Sequence, residues 1–223
     1  MAKTVGKAYS SEEKEALLKA AKEAPKSKAI YMATMLALHA GLRDKEIRTL
    51  QWRRIDLSKR LLTVGETKTD AGTGRTIPMN DDLHAAFLEY AAWFKDQFGT
   101  RQPEWYVFPF GKPRPNDPTR AQTSLKTAWR FAREKANVDG RFHDNRHTFV
   151  TDLAESGAGD EVIRDMAGHV SRDMLKHYSH IRTEAKRRAV EKLSGGSSRT
   201  SENFKPGNQV APHKISHKSL DTE

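Results

Sequence analysis

Cysteine is absent from the 223 residues, which excludes disulfide scaffolds, thiolate zinc sites and cysteine nucleophiles and leaves Ser, Thr, Tyr, His or carboxylates for any covalent chemistry. The redox compartment is left unconstrained, with the cytoplasm as the default. No apolar run approaches the length that spans a bilayer, and a mean hydropathy of -0.78 describes a water-soluble chain. The opening residues, MAKTVGKAYSSEEKE, hold no apolar segment followed by a small-residue cleavage site, so a secretory leader is not expected. No Gly-rich phosphate loop of the Walker type occurs, and no internal repeat is visible. Acids are the minority charge: 29 Asp and Glu face 39 Lys and Arg, a net +10. That balance favours a polyanionic partner through counterion release. The length suffices for one well-buried domain, or two small ones, without a structural metal.

Periodicity and punctuation predict a mainly α chain with a small antiparallel β-sheet. Residues 1–9 are polar and expected to be flexible. Ser10 followed by Glu13 fits a capping box for a first helix that Pro25 ends. A second helix, 27–40, is apolar on much of its circumference, which marks a central core helix, and Gly41 suits a left-handed position after it. A short helix follows in GLRDKEIRTLQW, where Arg43 and Glu46 sit three apart; taken alone, such a pair reads as a surface salt bridge. Strands are expected at 60–64 and 75–78, joined through a loose turn that carries Lys68. Asn80 caps a helix from Asp81 to about Phe98, and the proline-rich PFGKPRPNDP reads as an ordered surface loop. Helices are then expected at 119–136, 144–156, 160–167, 171–179 and 183–193. Residues 194–223 are too poor in apolar side chains to pack and read as a disordered tail, leaving 10–193 as the folded domain.

The chemistry concentrates between Arg141 and Tyr178, from RFHDNRHTF through AGHVS to KHYSH. His143 and Arg146, three apart at a helix start, can direct an imidazole and a planar guanidinium fork at one ligand. Phosphate matches that fork through two parallel charge-assisted hydrogen bonds. His169 follows Gly168 at a helix break. Tyr178 offers a hydroxyl with an ordinary pKa of about 10, nucleophilic only where cations and a proton acceptor surround it.

GLRDKE around Arg43, the hairpin lysine Lys68 in TKTDAGTGRTIP, HDNRHTF, the Gly168-His169 pair and the tyrosine nine residues after His169 stand in one order. Together they resemble the catalytic domain of the tyrosine recombinases, the phage-integrase family, over about residues 10–193. The resemblance implies that Arg43 and Arg146 bind a scissile DNA phosphate and that Lys68 protonates the departing 5′-oxygen. It implies His143 as general base or proton shuttle, His169 as a hydrogen-bond donor to the phosphoryl oxygens, and Tyr178 as the nucleophile that becomes 3′-phosphotyrosine. Glu46 would orient the arginines. No metal and no nucleotide cofactor would be needed, since arginines, a lysine and imidazoles supply the electrostatic stabilisation that other phosphoryl-transfer enzymes draw from magnesium.

Further expectations come with the family: double-stranded DNA as partner, a homo-tetramer on paired sites, and a cytoplasmic, nucleoid-associated location. Such enzymes also carry an N-terminal helical domain that clasps DNA from the opposite side, and this chain starts almost at the catalytic part, so weak and poorly specific DNA binding is expected of it alone. Asn145 and Ala167 stand where the family usually has leucine, which predicts looser packing behind the site. Two rival chemistries share these residues. Strand relaxation by a type IB topoisomerase uses the same groups. A metalloenzyme reading takes His143 and His147 at i and i+4 as ligands, but Asp144 is shorter than the usual glutamate and Arg146 would set a fixed positive charge beside the cation.

Overall fold

The computed structural model describes residues 6–24, 28–65, 74–111, 115–168, 170, 183, 186–187 and 190–191. Lys68, His169, Tyr178 and the expected tail from 194 lie outside the described residues. The elements run α1 (Ser11–Lys22), α2 (Ala29–His39), α3 (Asp44–Arg48), β1 (Ile55–Asp56), β2 (Leu61–Thr63), β3 (Thr76–Pro78), α4 (Asp81–Phe98), β4 (Pro109–Phe110), β5 (Asp117–Ala121), α5 (Lys126–Ala136), α6 (Asp144–Glu155) and α7 (Asp160–Ala167). Among the described residues no helix is long and apolar enough to cross a membrane.

Local chemistry accounts for the boundaries. At α1 the Glu13 backbone N–H donates to Ser10 Oγ (3.2 Å) while the Ser10 N–H donates to Glu13 Oε2 (2.9 Å), a reciprocal cap. Leu83 N–H donates to Asn80 Oδ1 (3.0 Å) to start α4, and Gly99 ends it with φ of 73°. α2 is buried from Ala29 to Leu38 apart from Tyr31, as its apolar circumference predicts, and it packs against α1, α3, α4, α5 and α6. The main core joins α2 to Ile47, Leu62, Ile77, Phe87, Phe94 and Phe108. A smaller core under α6 and α7 gathers Phe149, Val150, Ala154 and Ile163, and another ties α1 to α5 through Leu17, Ala21, Trp129 and Ala132.

The structure departs from the sequence reading in three places. The expected hairpin is a three-stranded antiparallel sheet in the order β1-β2-β3, because Ile55 and Asp56 pair with Leu62 and Leu61. The two ends of the proline-rich stretch pair instead as strands β4 and β5, and the expected helix start at Thr119 falls within β5, so α5 begins only at Lys126. Here Asp117 Oδ1 accepts from both the N–H and the hydroxyl of Thr119 (3.0 and 2.6 Å), while Tyr106 N–H donates to the Pro118 carbonyl (2.9 Å). These bonds hold the segment extended against an apparent helical period. Finally, residues 6–9 are anchored: Tyr9 is buried, its N–H donating to Thr148 Oγ1 (2.9 Å) and its hydroxyl to the Arg141 carbonyl (3.1 Å).

Candidate active site

The site begins where the core helix ends. Gly41 leaves α2 with φ of +63°, and a side chain there would run into the Phe149 ring of α6. This backbone turns the Gly41 carbonyl toward α6, where it accepts a hydrogen bond from Arg146 Nη1 at 2.6 Å. Two residues on, Arg43 stands immediately before α3. Its backbone N–H donates to Glu46 Oε2 (2.9 Å) and its Nη1 to Glu46 Oε1 (2.8 Å).

Glu46 corrects the surface-pair expectation: its side chain is only 5% exposed, and it also holds Arg75, which is 3% exposed. Arg75 donates from Nη2 to Glu46 Oε2 (2.8 Å) and from Nη1 to Oε1 (3.3 Å), while its Nε donates to the Met166 carbonyl in the last turn of α7 (3.0 Å). Burial pushes the Glu46 carboxyl upward, but the hydrogen bonds from Arg75 and Arg43 and the positive charge of Arg75 outweigh it and leave the pKa below the usual range.

α6 contributes a turn of buried polar side chains that no packing rule would place there: Asp144, Asn145, Arg146, His147 and Thr148. His143, just before the helix, is drawn down to about 4 by burial and then by the neighbouring His147, Arg146 and Arg43, with Asp144 opposing. It is therefore a neutral imidazole at pH 7, with its protonated form disfavoured by the cations around it. Arg146 is lowered to about 9, by burial and then by Arg43, with Glu46 opposing and Arg75 adding to the fall, so it stays charged at neutral pH. His143, Arg146 and Arg43 thus share one electrostatic neighbourhood although a hundred residues separate Arg43 from His143. The site also lies beside an ordered strap, since Gly6 packs so closely on the His147 ring that a side chain there would overlap it.

Of the six site residues expected from sequence, Arg43, His143 and Arg146 are brought together, and Lys68, His169 and Tyr178 lie outside the described residues. Sequence reasoning missed Arg75. The signal was available: Arg75 sits two residues before the fully buried Ile77, so it faces inward by strand alternation and requires a buried acid. The metalloenzyme reading loses its acid, because Asp144 accepts from the Arg141 backbone N–H (2.7 Å) and Nη2 (2.9 Å), and the His143 and His147 rings meet edge to face at 5.0 Å. Among the described residues no three His, Asp or Glu side chains are grouped to hold one ion. Asn145 is fully buried; its Nδ2 donates to the Phe142 carbonyl (2.9 Å), and its Oδ1 has no hydrogen-bond partner among the described residues. Its departure from leucine is thus a polar cost.

The phage integrase family model matches residues 7–185. The integrase of Salmonella phage P22 is 28% identical over 152 residues, covering 65% of this chain and 37% of that protein. The tyrosine recombinase XerA of Pyrococcus furiosus is 29% identical over 196 residues, covering 86% of this chain and 63% of its own length. The chain therefore spans between about a third and two thirds of these relatives. In fold it is similar to the catalytic domain of bacteriophage HP1 integrase, with a TM-score of 0.58 and 17% identity over 88% of this chain and 100% of that one.

Proposed function

The chain belongs to the phage integrase family, and on that premise we propose that it is the catalytic part of a site-specific DNA recombinase, with residues 10–193 as the catalytic unit. The observation that carries this reading is the junction of Arg43, Arg146 and His143: two guanidinium groups beside a neutral imidazole, at the ends of elements distant in sequence. Two fixed cations suit a phosphodiester, whose non-bridging oxygens gain charge in the transition state, and positioned donors act there without reorganising.

In this reading the Tyr178 phenol oxygen attacks the scissile phosphorus as its proton passes to His143, an imidazole that burial and neighbouring cations make a weak base until the negative charge of the bound phosphate raises its proton affinity. The bond to the 5′-oxygen breaks, and Lys68 supplies the proton that this oxygen takes. Arg43 and Arg146 hold the phosphoryl oxygens, joined by His169. The resulting 3′-phosphotyrosine ester conserves the bond, so a second 5′-hydroxyl can reverse the sequence and join a new strand. The net charge of +10 supports a double-stranded DNA partner. Four copies on two duplexes complete the proposed assembly.

Incubation with a nicked suicide DNA substrate in EDTA tests the chemistry. A covalent protein–DNA adduct should accumulate in the chelator; a reaction abolished by EDTA contradicts the assignment. Relaxation of plasmids without any defined site would favour a topoisomerase instead. Gel filtration of the same mixture reads the assembly, and a persistent monomer on paired sites counts against the tetramer.

A further inference from the structure

Arg75 belongs to none of the expected reacting positions, yet it is among the most buried charged residues described, and its side chain spans three parts of the fold. Its backbone carbonyl accepts from Val64 N–H (2.9 Å), and Gly74 N–H donates to the Val64 carbonyl (3.0 Å), which fixes Arg75 at the base of the β2-β3 hairpin. Its guanidinium reaches both oxygens of Glu46 on α3 and, through Nε, the Met166 carbonyl of α7. Glu46 uses the same two oxygens to hold the backbone and the guanidinium of Arg43.

Resting on the recombinase reading of the site, we propose that Arg75 is a positioning residue for strand cleavage: it locks Glu46, and through Glu46 the Arg43 guanidinium, against the hairpin base and the end of α7. The geometry requires an arginine. A planar fork can serve both carboxylate oxygens while its Nε serves a third acceptor, whereas a lysine ammonium concentrates its charge at one point. Without Arg75 the buried Glu46 keeps one cation partner fewer among Arg43, Arg75 and Arg146, and Arg43 loses the fixed carboxylate that sets its direction.

The test is single-turnover cleavage of the suicide substrate at saturating DNA, with DNA affinity measured in parallel, for the wild type, Arg75→Gln, Arg75→Lys, Glu46→Gln and the double substitution. A misplaced phosphate-binding group slows the chemical step, so Arg75→Gln should cleave about tenfold to a hundredfold more slowly. DNA affinity should change by less than about threefold. Arg75→Lys should remain at least about fivefold slow, because charge without the fork does not restore the geometry. Adding Arg75→Gln to Glu46→Gln should cost little more, since both act through one link. Cleavage by a folded Arg75→Gln at the wild-type rate, or multiplicative losses in the double variant, overturns the inference. Should Arg75→Gln fail to fold by circular dichroism, Arg75→Lys decides, and a wild-type rate there overturns it. A wild-type chain that forms no adduct at all sinks the recombinase reading itself, which is distinct from an active wild type with an indifferent Arg75.

Discussion

His143 carries a testable consequence of its surroundings. Its pKa falls from an ordinary 6.5 to about 4, chiefly through burial and then through the His147, Arg146 and Arg43 charges. Between those values the unfolded chain binds a proton that the folded chain refuses, so this contribution to stability is whole above pH 6.5 and is lost as the pH falls toward 4. His147, also lowered, acts in the same sense, and Glu46 and Asp144 add acid sensitivity below the carboxylate range. In urea denaturation the wild type should lose stability from pH 6.5 to 4, and His143→Gln should lose measurably less; identical slopes would contradict the buried, neutral imidazole. His143 and Arg146 were legible because their side-chain types match phosphate at a recognisable spacing, whereas Arg43 was singled out only through the family resemblance of GLRDKE. Arg75 was overlooked because a strand arginine beside a turn reads as solvated unless its two-residue spacing to the buried Ile77 is weighed.

At the scale of elements, the end of α2 governs more than its own helix. Ala40 and Leu42 N–H groups both donate to the Leu36 carbonyl (3.1 and 3.4 Å), and Gly41 between them takes the positive φ and offers its carbonyl to Arg146. Gly41→Ala strains that conformation and drives a methyl into the Phe149 ring, so it should cost about 1–3 kcal/mol in urea unfolding. A loss below about 0.5 kcal/mol would show that the turn tolerates a side chain. The stop at Gly41, the caps at Ser10 and Asn80 and the apolar α2 were readable because each rests on local chemistry. β1 and the β4-β5 hairpin were not, because their strands are two to five residues long and their pairing depends on partners outside the local sequence.

At the scale of the molecule, segments around residues 41–46, 75, 143–147 and 166 meet because α2 forms the axis on which α3, α4 and α6 pack. The sequence order of the motifs pointed to this convergence, whereas the buried Glu46-centred network needed coordinates. In the proposed reaction this assembled cluster makes Tyr178 a nucleophile toward a DNA phosphorus. The most direct test is to trap the suicide-substrate adduct, digest it with nuclease and protease, and sequence the modified peptide by mass spectrometry. A 3′-linked nucleotide on Tyr178 and no adduct from Tyr178→Phe are expected; a nucleotide on another side chain, or an adduct that survives the substitution, rules out Tyr178 as the nucleophile.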